Sequence, residues 1–146
     1  MPYVDITSSK TTIRITYSHS YDASTNKSTI TITKLEVAST SYSGLYYPSG
    51  DIKINGSTII SMSSSAGSHS VSINYSNGTF YKINGKLGST TLTLNSDSTA
   101  VKFECYDVDG VSGTSYKTIW TVNGSKTVNI YKVSYNANGG SGAPSA

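Results

Sequence analysis

Three tyrosines are concentrated in the segment YSGLYYPSG, residues 42–50, which makes it the stretch of the chain best suited to bind a ligand. A tyrosine ring can stack on the flat face of a sugar, and its hydroxyl can bond to the ligand or to water. The Gly, Pro and Ser between the rings exclude a helix and predict a loop instead of a central strand. The residues predicted to contact a carbohydrate are Tyr42, Tyr46, Tyr47, Asp51 and Asn55. The alternative is that the three rings fold back as lids over an edge of the core.

Acid–base or nucleophilic catalysis is poorly supported by the remaining reactive side chains. Glycoside hydrolysis needs two carboxylates that face each other, one of them in an apolar setting that raises its pKa. Most of the acidic residues lie at predicted strand ends or turns, where an aspartate usually accepts a local hydrogen bond. Cys105 is in phase with apolar neighbours, which favours a buried thiol over a nucleophile. We therefore expect no enzyme activity. The eight acidic residues are Asp5, Asp22, Glu36, Asp51, Asp97, Glu104, Asp107 and Asp109.

Metal binding has one weak candidate. The sequence Asp-Val-Asp-Gly at residues 107–110 resembles the start of a calcium loop, in which Asp107 and Asp109 would be ligands and Asp97 or backbone carbonyls would complete the set. The glutamate that ends such a loop is missing, so a plain Asp-Gly turn is the default interpretation. The two histidines, His19 and His69, have no third ligand at a fixed spacing and do not predict a zinc site. No cofactor is expected.

The elements that must position these residues are β-strands. Apolar and polar residues alternate with period two along most of the chain, and no stretch has helical periodicity with a cap. In the second long strand the apolar phase shifts by one residue, which predicts a β-bulge near Thr33 to Leu35. Five Asn-Gly or Asp-Gly pairs predict tight turns between antiparallel strands. They are residues 55–56, 77–78, 84–85, 109–110 and 123–124.

The predicted fold is all-β, an antiparallel two-sheet sandwich of about eight to ten short strands, immunoglobulin-like or jelly-roll-like, over residues 1–130. A closed barrel is the lesser alternative. A lone tryptophan is normally buried in such a sandwich, so we expect Trp120 in the core. The predicted inward positions are Ile13, Ile15, Ile30, Ile32, Ile52, Ile54, Val71, Ile73, Leu92, Leu94, Val101, Phe103, Cys105, Trp120, Val122, Val128 and Ile130.

Composition limits the partners. With 28 Ser and 19 Thr, the chain covers its surface with hydroxyls, and charged residues make up only 13%. The lysines are scattered and form no basic run, so nucleic acid is an unexpected partner. The N-terminus has no apolar signal region, and no apolar run is long enough to span a bilayer. We therefore expect neither a cleaved secretion signal nor insertion into a membrane.

The last residues carry a specific resemblance. Val133 to Pro144, VSYNANGGSGAP, resembles the opening of a Listeria-Bacteroides repeat, a small module strung along bacterial surface proteins of the internalin type and some phage tail proteins. The resemblance implies that residues 131–146 are the truncated start of a following repeat module, or a linker to it.

The body of the chain is similar to the N-terminal β-sandwich of siphophage minor structural proteins. The segments that carry the similarity are TTIRITYSHSYDASTNKSTITITKLEVAST, GLYYPSGDIKING, AGSHSVSI and VKFECYDVDG. The similarity implies a non-enzymatic module of a virion, in the tail of a phage of a Gram-positive host. It could form a homo-oligomer, contact other virion subunits and adhere to host cell-wall glycan. Two alternatives remain, a bacterial cell-surface adhesin or carbohydrate-binding module, and a glycan-degrading enzyme domain.

Overall fold

The computed structural model describes residues 2–64, 69–74, 79–94 and 96–132. All of its regular elements are β-strands, which are long where period-two alternation is long. The strands are β1 (Tyr3–Ser8), β2 (Thr11–Asp22), β3 (Lys27–Ser39), β4 (Gly44–Ile54), β5 (Ser57–Met62), β6 (Val71–Ile73), β7 (Tyr81–Lys82), β8 (Ser89–Thr93), β9 (Ser98–Ser112) and β10 (Thr118–Tyr131). Of the repeat module expected at residues 131–146, residues 133–146 lie outside the described residues.

The strands form two antiparallel sheets. The first has the order β1-β2-β3-β7, and β8 also pairs with β3; the second has the order β10-β9-β4-β5, and β6 also pairs with β4. The sheets pack together around a shared hydrophobic core. Along one side β1 lies beside β10, where the Ser8 hydroxyl bonds both the N–H and the C=O of Asn123 at 2.9 Å. The structure therefore confirms the predicted two-sheet sandwich.

The core follows the sequence pattern closely. Every predicted inward position is buried except Leu92 and Val128, which are half-buried and pack against the core. Trp120 is only 4% exposed and Cys105 only 1%, so both are core residues as predicted. Period-two alternation is a local property of the chain, and it places these side chains on one face of each strand whatever the strand order.

The predicted bulge is confirmed at Thr33. In the β2–β3 pairing, Thr16 lies opposite Lys34 but Tyr17 lies opposite Ile32, so Thr33 is the extra residue. The insertion turns the side-chain phase by one position, which lets both Ile32 and Leu35 face the core.

Two of the predicted turn signals lie in links between strands. Asn55 and Gly56, both with positive φ angles (49° and 82°), form the tight turn between β4 and β5. Residues 84–85 lie in the link between β7 and β8, which each pair with β3 and do not form a hairpin. Residues 77–78 fall outside the described part of the chain.

The other two turn predictions are wrong. Residues 109–110 lie inside β9 and residues 123–124 lie inside β10. Gly110 is needed there because a side chain would overlap the indole ring of Trp120. Gly124 of β10 adopts a positive φ of 153° and lies beside the β-bulge that β9 makes against β10. In β9 the glycine allows close packing, and in β10 it lies beside a bulge. An Asn-Gly or Asp-Gly pair in the sequence does not by itself distinguish these roles from a turn.

The predicted tyrosine loop is also wrong, because most of YSGLYYPSG is strand β4. This strand is central in its sheet: it pairs with β9 on one side and with β5 and β6 on the other. β6 pairs with residues 44–46 and β5 with residues 50–54, so Pro48 lies in the gap between them. Because Pro48 has no N–H to donate, its position at the gap leaves no hydrogen bond of the strand pairing unmade. Pairing with strands on both sides outweighs the poor strand propensity of the segment.

Candidate functional site

Strand β4 separates the three tyrosine rings. Tyr46 points between the sheets, is 4% exposed and donates its hydroxyl to the carbonyl oxygen of Ser43 at 2.9 Å. Its ring meets that of Trp120 edge-on, at 6.0 Å between centroids, and burial raises the pKa of its hydroxyl. Tyr47, the next residue along the strand, points to the opposite face. Tyr46 is therefore a core residue, and the three rings form no common platform.

The polar members of the predicted site are dispersed as well. Asp51 lies half-buried in the second sheet, opposite Tyr106 of β9. Asn55 is bound at the β4–β5 turn: its N–H donates to the carbonyl of Lys102 at 2.9 Å, and its side-chain oxygen accepts from the N–H of Lys102 at 2.8 Å. The length of β4 puts Tyr42 and Asn55 about 30 Å apart, at opposite ends of the sandwich.

Tyr42 does line a pocket, together with residues that sequence analysis did not connect to it. The cavity, of about 210 Å³, lies at the end of the sandwich where the β1–β2 turn, the β3–β4 link and the start of β10 meet. We call it the Tyr42–Trp120 pocket. Its lining residues are Ser8, Ser9, Lys10, Thr11, Tyr42, Ile119, Trp120 and Thr121.

Backbone hydrogen bonds hold the pocket segments together. The carbonyl of Lys10, in the β1–β2 turn, accepts from the N–H of Thr40 at 2.9 Å and from its hydroxyl at 3.4 Å. The buried hydroxyl of Ser39 accepts from the N–H of Tyr42 at 3.2 Å. The turn and the β3–β4 link are thus tied to each other, which places Lys10 and Tyr42 on the same pocket without needing a ligand.

Trp120 forms the apolar wall of the pocket. Its ring lies over Gly110, where the missing side chain leaves room for it, and against the edge of Tyr46. The indole Nε1 is buried and has no hydrogen-bond partner among the described residues. The sequence predicted a buried Trp120 correctly, but its phase on β10 carried no sign that the same ring also faces a cavity.

The calcium candidates have protein partners. Asp107 accepts from Asn123 Nδ2 at 3.1 Å, and Asp109 accepts from the Thr121 hydroxyl at 2.5 Å. Asp107 has a positive φ of 47° and lies at the bulge that β9 makes against β10. Asp97 precedes β9, about 30 Å from Asp107 along the strand, and cannot complete their ligand set. Among the described residues, no group of three His, Cys, Asp or Glu is arranged to hold a metal.

The two histidines lie at separate places. His19 lines a larger cavity, of about 420 Å³, between β2 and the end of β10, and its Nε2 has no partner in the described part of the chain. His69 is 5% exposed, with Nε2 2.9 Å from the carbonyl oxygen of Lys86. His69 lines a separate cavity of about 220 Å³, and among the residues that line either cavity there is no second histidine and no carboxylate.

One further aromatic cluster lies on the first sheet. The Arg14 guanidinium lies between the rings of Tyr3 and Phe80, 4.0 and 3.8 Å from their centroids. It also donates to both carboxylate oxygens of Asp5, at 2.8 and 2.9 Å, a contact that raises the pKa of Arg14. The charges of Arg14 and Asp5 already neutralise each other, and both rings contact the guanidinium. We therefore assign this cluster to stabilising the sheet.

The thiol of Cys105 is expected to be unreactive in the folded chain. Burial raises the pKa of its thiol from 9.0 to about 12. At pH 8 the higher pKa leaves far less thiolate, so we expect thiol reagents to label native Cys105 about a thousandfold more slowly than the unfolded chain. Stopped-flow labelling with and without denaturant measures both rates. Because the folded thiol keeps its proton, its contribution to stability is complete below pH 9 and is lost as the pH rises towards 12. Rapid labelling of the native chain would contradict this assignment.

Comparison of the chain with protein-family models, with curated proteins and with solved structures found no match. Within the described residues there is no helix of the length and hydrophobicity needed to cross a membrane.

Proposed function

We propose that the chain is a non-enzymatic module of a phage virion, in a tail or tail-tip protein, and that its Tyr42–Trp120 pocket binds host cell-surface carbohydrate. The observation that supports binding is the convergence of the Tyr42 ring, the small exposed part of Trp120 and one ammonium group on one pocket, from segments about a hundred residues apart. A shallow aromatic and polar pocket on a stiff β scaffold suits a sugar that is bound but not cleaved.

The placement in a virion rests on the sequence resemblance of the body of the chain. Tail proteins occur in several copies, so a weak single site gains strength by avidity when many copies face one cell wall. A pocket of about 210 Å³ holds only part of a polysaccharide, which fits a weak site of this kind. The other contacts of the module would be with neighbouring virion subunits or with copies of itself.

Tyr42→Ala tests the pocket. We expect the parent chain, displayed multivalently on a glycan and cell-wall array, to bind, and Tyr42→Ala to weaken binding about tenfold because it removes a stacking ring. Tyr106→Ala is the matched control: Tyr106 is 43% exposed and lies on β9, away from the pocket. Absence of binding by the parent, or equal loss in both variants with folding unchanged, would contradict the proposal.

A bacterial cell-surface adhesin is the second candidate, favoured by the resemblance of residues 133–144 to a repeat of bacterial surface proteins. It would use the same pocket for the same purpose. The gene neighbourhood separates the two candidates: neighbouring tail genes support a virion protein, whereas an upstream signal peptide with a downstream wall anchor supports an adhesin.

A further inference from the structure

The charge of the Tyr42–Trp120 pocket indicates which chemical class of ligand it binds, provided that the proposed carbohydrate binding holds. Lys10 is the only charged residue among those that line the pocket, and the lining contains no carboxylate or amide side chain. Within the described part of the chain, Lys10 has no carboxylate within ion-pair distance; the two ion pairs there are formed by Arg14 with Asp5 and by Lys34 with Glu36.

The hydroxyls of the lining are largely engaged within the protein. Ser8 donates to the carbonyl of Asn123 at 2.9 Å, Thr11 donates to Ser39 at 3.5 Å, and Thr121 donates to Asp109 at 2.5 Å. Their protons are therefore not available to a ligand. The ammonium of Lys10, with three donors and no acceptor, is the strongest free hydrogen-bonding group that the pocket offers.

The lining is poorly suited to a neutral sugar. Recognition of neighbouring hydroxyls on a neutral sugar needs groups that accept strongly, such as carboxylates and amides, and the pocket has none. An ammonium with no acidic partner, beside two aromatic rings, instead suits a ring that carries an anionic oxygen group. Because the carbonyl of Lys10 is bound to the N–H of Thr40, the backbone of Lys10 is held beside the β3–β4 link that carries Tyr42.

We propose that the ligand of the Tyr42–Trp120 pocket is an anionic glycan, whose carboxylate or phosphate group binds the ammonium of Lys10 while a sugar ring packs against Tyr42 and touches the exposed part of Trp120. The contact is partly exposed, so binding weakens as salt is added. Asp109 bonds to Thr121 at the border of the pocket, and its negative charge opposes the ligand.

Three polymers serve as probes: polygalacturonate for carboxylates, polyglycerol phosphate for phosphates, and methyl-esterified polygalacturonate as the neutral match of the first. We expect the parent chain to bind at least one anionic polymer and to bind the neutral match about tenfold more weakly. Lys10→Gln is expected to abolish that difference, since a hydrogen bond to a charged group contributes about a tenfold factor in affinity. Lys102→Gln is the matched control, an exposed lysine whose backbone binds Asn55 at the opposite end of the sandwich.

Asp109→Asn is expected to raise the affinity for an anionic polymer, whereas Lys10→Gln is expected to lower it. Asp109→Asn keeps an acceptor for Thr121 but removes a negative charge, so affinity for the anionic polymer should rise about twofold.

The outcomes separate this inference from the proposed function. If neutral and anionic polymers bind equally, and Lys10→Gln changes nothing while Tyr42→Ala weakens binding, the anionic specificity is wrong and carbohydrate binding stands. If Lys102→Gln weakens binding as much as Lys10→Gln, the attraction belongs to the net charge of +3 and not to the pocket, and the inference fails. If no glycan binds at all, both fail.

Discussion

Gly50→Ala is expected to destabilise the sandwich by about 4 kcal/mol, the largest effect of a glycine-to-alanine change among the described glycines. Gly50 has a φ of 104°, which an alanine adopts only under strain. The added methyl group would overlap the carbonyl oxygen of Asp107 and lie 2.6 Å from its carbonyl carbon and 2.8 Å from the Cα of Val108. These are backbone atoms of β9, so they cannot move aside without breaking the β4–β9 pairing.

Gly56→Ala separates the two causes. Gly56 also has a positive φ, of 82°, but an added methyl group there has no atom within 4 Å. This variant should lose only the backbone-strain part, about 1 kcal/mol. Chemical denaturation of both variants measures the difference. Equal losses would mean that Gly50 is needed for its φ angle alone and that the close approach of β4 to β9 is not as described.

Gly110→Ala is expected to have the second largest effect, about 3 kcal/mol of stability together with loss of glycan binding. A methyl group on Gly110 would overlap Cε2 of Trp120 and lie 2.5 Å from Cζ2. The backbone of β9 prevents the indole ring of Trp120 from moving towards Gly110. The ring must therefore shift towards the Tyr42–Trp120 pocket or away from Tyr46. Denaturation and array binding on the same preparation measure both losses.

A smaller side chain at position 120 provides the matched control. In a Trp120→Leu background the methyl group of Gly110→Ala has room, so it should cost much less there than in the parent. The difference between the two costs is the coupling energy of the pair. An unchanged cost in the two backgrounds would contradict the packing of Trp120 over Gly110.

Strand alternation in the sequence predicted the sandwich, its core and the bulge at Thr33, because these depend on neighbours within a few residues. The role of 42–50 could not be predicted in this way. Gly and Pro signal a loop locally, but β9 pairs with this segment on one side and β6 and β5 on the other, which makes it a central strand. Once it is a strand, Tyr46 and Tyr47 must face opposite sides.

The pocket was beyond sequence reasoning for a different reason. Lys10, Tyr42 and Trp120 belong to three strands or links that meet only when both sheets are assembled, and no local pattern joins them. Tyr42 was found because tyrosines are suited to sugars, and Asp51 and Asn55 were joined to it only by nearness in sequence. A binding test that changes Tyr42, Tyr46 and Tyr47 together would damage the core, since Tyr46 is buried.

The most direct test of carbohydrate binding in this pocket uses Trp120 itself. It is the only tryptophan, so the ¹⁵N-labelled chain gives a single indole N–H signal. Titration with the oligosaccharide that binds best on the array is predicted to shift this signal and the backbone signals of Lys10 and Tyr42, with one common saturation curve. If the oligosaccharide binds but the indole signal does not move, the sugar site lies elsewhere and the account of the Tyr42–Trp120 pocket is wrong.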